Sequence, residues 1–143
     1  MEISHGNLGN MKNQNIEKDF KNKTVLVTGH TGFIGTWMSL WLDLLGAKVI
    51  GYSLSPSTKP SIFETVKLKK NITHVIGDVT NFEKLQQTIK TNKPEFVFHL
   101  AAQSLVSVSY SNPTETVSTN VVGTMSRYSA TFHSQSCSSS SAA

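Results

Sequence analysis

Between Val25 and Gly35 an apolar run, Val25-Leu26-Val27-Thr28, ends in three glycines spaced three residues apart. An apolar helical pattern follows at once, through Phe33, Ile34, Trp37, Met38, Leu40, Trp41, Leu44 and Leu45. A strand that stops on a glycine turn and restarts as an amphipathic helix opens a β-α-β unit, which leaves few folds available. Each glycine has its own task. Gly29 allows a sharp turn off the strand, Gly32 lets the backbone approach a phosphate, and Gly35 lets helix and strand pack closely. The helix starting near Gly32 then directs free N–H groups and its positive dipole end at a pyrophosphate.

The same alternation continues along the chain. Further apolar runs stand at Lys48 to Tyr52, His74 to Gly77 and Phe96 to Leu100. Gly46 stops the first helix, and Thr80-Asn81-Phe82-Glu83 predicts a capping box that opens a helix to about Thr91. Asn112-Pro113-Thr114-Glu115 predicts another, with proline in its first turn. The order β-α-β-(short helix)-β-α-β-loop-α predicts an α/β fold, a Rossmann-type parallel sheet with helices on both faces. The sheet is expected to be incomplete, with about four strands.

Composition sets the boundaries. The chain has 143 residues, enough for one domain. Residues 1–19 are polar and residues 125–143 are rich in serine, so both are expected to lie outside the packed domain at 20–124. The net charge is +4, but only Lys67, Lys69 and Lys70 cluster, and no aromatic residues interleave with them. A solvated helix end explains that group better than nucleic-acid binding does. Cys137 is the single cysteine, which precludes an internal disulfide and leans towards a reducing compartment. No run is apolar enough to span a membrane and no secretory signal stands at the N-terminus, so a cytoplasmic location is expected.

Four motifs sit at matching distances along the chain: Thr28-Gly29-x-x-Gly32-x-x-Gly35, Gly77-Asp78-Val79, His99-Leu100-Ala101-Ala102-Gln103 and Thr119-Asn120-x-x-Gly123-Thr124. Together they resemble the extended short-chain dehydrogenase/reductase superfamily, whose members act largely on nucleotide sugars. The loop Gly29-His30-Thr31-Gly32-Phe33, the Trp37-x-x-x-Trp41 helix, Gly51-Tyr52-Ser53-Leu54 and Pro60-Ser61-Ile62-Phe63-Glu64 resemble the CDP-glucose 4,6-dehydratases in particular. Ile34, Ser104 and Ser107 depart from that pattern, standing where a lysine, a proline and a basic residue are expected.

The resemblance implies a dinucleotide cofactor held by Gly29, Thr31, Gly32, Phe33, Ile34 and Gly35. It places Asp78, beside Val79, on the adenine amino group. Leu100, Ala101 and Ala102 would lie along the ribose and nicotinamide, and Asn120 would support the fourth strand. Taken as residues alone, Asp78 could instead begin a helix, Asn120 could be an ordinary polar helical residue, and His99 and the two tryptophans suit packing. Ser53 either bonds a ribose hydroxyl or caps its turn. No carboxylate ends the second strand and no arginine stands there for a 2′-phosphate. The resemblance favours NAD, with NADP not excluded.

The family's Tyr-x-x-x-Lys, whose lysine-assisted phenolate accepts a sugar hydroxyl proton, has no counterpart among these residues. Tyr52, Tyr110 and Tyr128 are followed four positions on by Pro56, Thr114 and Phe132. The family pattern fades after Thr124, which is the expectation of a frameshift or premature end. By resemblance the strands should lie in the order 3-2-1-4, leaving an apolar edge at Phe96 to Leu100 open to self-association. The chain is therefore expected to be the NAD-binding N-terminal portion of a nucleotide-sugar 4,6-dehydratase, with a nucleotide sugar as the substrate of the whole enzyme and no turnover from these residues alone. The alternatives are a non-catalytic dinucleotide-binding or interaction module and a fragment of a nucleotide-sugar 4-epimerase.

Overall fold

The computed structural model describes residues 16–136. A short helix α1 (residues 16–20) leads into β1 (Thr24–Thr28), α2 (Phe33–Leu44), β2 (Lys48–Ser53), α3 (Ile62–Thr65) and a 3₁₀ turn, Leu68–Lys70. Then come β3 (Thr73–Ile76), α4 (Phe82–Asn92), β4 (Phe96–His99), α5 (Val106–Ser111) and α6 (Pro113–Val117). A π-helical turn, Ser118–Val122, joins α6 to α7 (Gly123–Ser136). The sheet is wholly parallel, in the order β3-β2-β1-β4.

The strands show why the sheet is covered on both sides. Successive side chains of a strand point to opposite faces. Val25 and Val27 of β1 pack with Leu42, Val49 and Phe63 on one face, and Leu26 packs with Ile50, Leu85, Ile89 and Ala130 on the other. All three β1 side chains are at most 1% exposed, and burial of each contributes about 1.5–3 kcal/mol. An unbroken apolar run is what a strand buried on both faces requires.

The structure corrects the face expected for α2. The apolar stripe Phe33, Ile34, Trp37, Trp41 and Leu44 is between 44% and 75% exposed, so the tryptophans are not core residues among the described part. Gly35, Thr36, Ser39 and Leu42 face inward instead. Beside the glycine loop the inner side chains are the small Gly35, Thr36 and Ser39, while further along Leu42 is fully buried and Met38 and Leu40 pack partly buried on the core.

Other boundaries shift as well. Asn81, not Thr80, caps α4, its side-chain oxygen accepting from the Lys84 N–H at 3.0 Å. The stretch expected to be a loop before Asn112 contains α5, whose Val-Ser-Val-Ser sequence carries no helical period. Residues 16–20 are helical, and the first four of them fall in the 1–19 segment expected to lie outside the packed domain; residues 1–15 lie outside the described part. The boundary expected at Thr124 is overrun by α7, whose Ser126 and Ala130 are 8% and 0% exposed. Two small residues one turn apart let α7 lie against α4, and such a face has no large apolar side chain to announce it. Residues 137–143 lie outside the described part. No helix among the described residues is long and apolar enough to cross a membrane.

Candidate functional site

The site is built at the carboxyl ends of the strands, starting from Gly29. Its φ is +74°, and its N–H donates to the Tyr52 carbonyl at 2.9 Å. A β-carbon there would lie 2.7 Å from the Ala101 nitrogen and from the Leu100 carbonyl group, so the end of β4 rests directly on this turn. Only glycine combines a left-handed φ with that approach. The loop residues and the strand-end residues expected from sequence are thus brought together.

Gly32 is different, because a β-carbon there would meet only the Gly29 carbonyl oxygen at 3.3 Å. Gly32 is the N-cap of α2 and offers no side-chain cap, and the first turn of the helix holds no acidic residue. The first-turn amides of a helix have no partner within it. Here nothing on α2 neutralises them, which suits a dinucleotide pyrophosphate. The Phe33 and Ile34 side chains are 68% and 66% exposed, so what each brings to the loop is its main-chain amide.

Side chains tie the loop to β2. The Thr31 hydroxyl donates to the Leu54 carbonyl at 2.9 Å and shares a 2.9 Å hydrogen bond with the Ser53 hydroxyl. Ser53 also meets His30 Nδ1 at 3.1 Å, and His30 Nε2 shares a 2.6 Å bond with His74 Nδ1. His30 is fully buried, with its ring edge-on to Phe63. Burial and the neighbouring His74 push its pKa down to about 4, so the imidazole stays neutral. This paired imidazole, invisible to motif reading, spans β1 and β3.

Ser53, Asp78 and Val79 line one pocket of about 440 Å³, closed on its far side by residues 112–119. Asp78 begins the approach to a helix, one of its two sequence readings. Its Oδ1 accepts from the Thr80 N–H and hydroxyl, each at 2.8 Å, which shapes the start of α4, while its carboxylate borders the pocket. The Tyr52 hydroxyl donates to the Asp78 carbonyl at 2.9 Å. Burial and Asp78 push the Tyr52 pKa up to about 12, which keeps that proton in place. Leu54, Glu115, Ser118 and Thr119 also line the pocket and were not assigned to the cofactor from sequence. Leu54 lies there because it directly follows β2, whereas Glu115, Ser118 and Thr119 come from α6 and the turn after it, far along the chain.

Asn120 does not enter that lining. Its Oδ1 accepts from the Gln103 N–H at 2.7 Å and its Nδ2 donates to the Gln103 carbonyl at 3.1 Å, a two-point clamp on the chain leaving β4. Ala102 is exposed at that exit. His99 Nδ1 shares a 2.7 Å bond with the buried Thr28 hydroxyl. Burial and Arg127 lower its pKa, consistent with packing rather than proton transfer.

With this geometry in view, comparison with known proteins is informative. The family described as GDP-mannose 4,6 dehydratase matches residues 26–137, a span that runs past Thr124. CDP-glucose 4,6-dehydratase from Salmonella typhimurium is 55% identical over 111 residues, covering 77% of this chain and 31% of that protein. Among solved structures, UDP-glucose 4-epimerase from Thermotoga maritima with UDP-glucose superposes with a TM-score of 0.70 at 29% identity, covering 78% of this chain and 34% of the other. The Brucella ovis UDP-glucose 4-epimerase in complex with NAD gives 0.69 at 26% identity, covering 79% and 33%. The chain spans about a third of the length of these relatives.

Proposed function

The chain belongs to the GDP-mannose 4,6 dehydratase family, and on that premise we propose that it is the NAD-binding N-terminal portion of a nucleotide-sugar 4,6-dehydratase acting on CDP-glucose in the cytoplasm. The observation that carries the proposal is the uncapped start of α2 at Gly32, set where Thr31 and Ser53 meet and the Leu100-Ala101 strand end rests on Gly29. These residues fit a dinucleotide. The amides of α2 would hold the pyrophosphate, Ser53 a ribose hydroxyl and Asp78 the adenine amino group. When bound, the cofactor supplies a hydride acceptor and donor. The chain's own contribution is to orient it: the Asn120 clamp and Thr28–His99 bond fix the β4 end along which the ribose and nicotinamide would run. The choice of CDP-glucose is supported by the 55% identity with the Salmonella enzyme.

Calorimetric titration of the 143-residue chain with NAD⁺ tests the reading. Saturable binding is expected, lost in Gly32→Val and weakened in Asp78→Ala. Binding that survives Gly32→Val unchanged would remove the cradle from consideration. Because no Tyr-x-x-x-Lys occurs in these residues, no conversion of CDP-glucose is expected from them alone. That same lack favours a second reading, a module that binds dinucleotide without reacting. NAD⁺ affinity with a functional effect on a longer homologous enzyme would support it.

A further inference from the structure

Ile34, Trp37, Trp41 and Leu44 follow one another along α2 at intervals of three, four and three residues. That is the spacing of a seam by which two helices pack along their length. With Phe33 beside them they are between 44% and 75% exposed, on the side of the helix opposite the inward Gly35, Ser39 and Leu42. The inner side meets the sheet. The outer side points away from it, where a helix covering a sheet ordinarily turns charged and polar residues to water. This outer face has none. The only ionisable residue of α2 is Asp43, which is turned aside to accept from Asn71 Nδ2 at 3.0 Å.

At about 200 Å² for a large apolar side chain, these exposures leave about 600 Å² of apolar surface in water, at the top of what a monomer carries in one patch. Two such faces brought together would bury about 1,200 Å², the lower bound for a specific and stable protein interface. The order of side chains identifies the occupant. Positions 34 and 44, and 37 and 41, are symmetric about Ser39, so the seam reads the same in both directions. A second α2 laid antiparallel would set Ile34 against Leu44 of the second copy and Trp37 against Trp41 of the second copy, each contact occurring twice about a twofold axis. No like charges would meet, because the seam carries none, and antiparallel helices bring opposite dipole ends together. We propose that the outer face of α2 is a docking surface for a second copy of this chain, giving a dimer through an antiparallel α2–α2 contact. This contact closes at two copies, so it is separable from association along the open β4 edge. It stands independently of the dinucleotide reading.

The experiment uses the 143-residue chain carrying Phe96→Lys, which removes association at the β4 edge. Sedimentation should show a monomer–dimer equilibrium in the micromolar range. Both tryptophans of the chain stand in the seam, so their emission should move to shorter wavelength and their quenching by acrylamide should fall as the dimer forms. Leu44→Lys would place a charge against Ile34 of the second copy, and should weaken the dimer at least about tenfold. Trp37→Lys should do the same from the middle of the seam. Both side chains lie at the surface, and circular dichroism checks that the variants fold. Tyr110→Lys, at an 86% exposed apolar side chain away from α2, should leave the dimer unchanged. A dimer that survives Leu44→Lys and Trp37→Lys, or that weakens equally with Tyr110→Lys, would overturn the proposal. So would a monomer at all concentrations, whether its tryptophans are open to acrylamide or shielded by another part of the chain.

Discussion

Replacing Gly35 with alanine separates the packing role of a glycine from its ligand role. The new β-carbon would lie 2.7 Å from the Gly29 carbonyl carbon and 2.8 Å from the His30 α-carbon, and closer still to the Gly29 oxygen, where ordinary contact begins at 3.4 Å. All three atoms are main chain, so no rotamer change relieves the overlap. The first turn of α2 must move away from the loop. Overpacking of this kind costs about 1–3 kcal/mol, and more where the backbone must move. Alanine returns about 1 kcal/mol of helix propensity. With the clash on main chain from both sides, the net destabilisation is set at about 2 kcal/mol, which lowers the melting temperature of a domain this size by roughly 8 °C. Gly32→Ala is the matched control, since its β-carbon meets one atom at 3.3 Å. It should melt within about 3 °C of the parent yet lose dinucleotide affinity. Far-ultraviolet circular dichroism melts and urea midpoints measure the first effect, and calorimetric titration the second. If Gly35→Ala melts with the parent, or Gly32→Ala is equally destabilised, the division of labour between the two glycines is refuted.

Three further outcomes are expected. His30 is neutral in the fold, with a pKa near 4, whereas the unfolded chain protonates it below its ordinary 6.5. Its stabilisation is full above that value and is lost as pH falls towards 4, amounting to about 3 kcal/mol, with burial and Lys69 moving His74 the same way. Urea midpoints should fall across this range in the parent and be flatter in His30→Gln; a parent midpoint independent of pH would contradict the burial argument. Tyr52→Phe removes one of two donors to the Asp78 carbonyl, the other being the Asn81 N–H at 3.0 Å. It should cost about 1 kcal/mol and weaken dinucleotide binding, and an unchanged urea midpoint would show that the hydroxyl is dispensable. Finally, β4 has no outer neighbour among the described residues, and Phe96 is 40% exposed there. We expect mass to rise with concentration in light scattering through self-association at this edge, and Phe96→Lys to suppress it; a parent that is monomeric throughout would refute the edge contact.

The alternation of strands and helices and the glycine turn were legible because both are written locally, whereas the strand order came from the resemblance. The Val25–Val27 run and the following glycines carry period and turn chemistry within a dozen residues, and Asp78 follows its strand at once. What escaped depends on what the elements meet. Trp37 and Trp41 have helical spacing, but close approach to the loop selected Gly35, Thr36 and Ser39 for the inner face. Ser126 and Ala130 carry no hydrophobic signal and are buried because α4 supplies the larger side chains. His30 and His74 stand far apart in sequence and become a pair only when β1 and β3 align on either side of β2. The lysines at 67, 69 and 70 gain a concave setting from Phe63 and His74, which no charge count reveals.

The π-helical turn at Ser118–Val122 acts as a phase shifter in an otherwise continuous helix from Pro113 to Ser136. Upstream of it, Glu115, Ser118 and Thr119 address the pocket lined by Ser53 and Asp78; downstream, Ser126 and Ala130 address α4. A residue in an α-helix advances the azimuth by about 100°, so one residue fewer in this turn would swing α7 by that amount. Residues neighbouring Ser126, among them Met125 and Arg127, would then compete for its position in the α4 groove. Two surfaces with separate tasks are therefore kept in register by a single wide turn, and the length of that turn is as constrained as any side chain in the site.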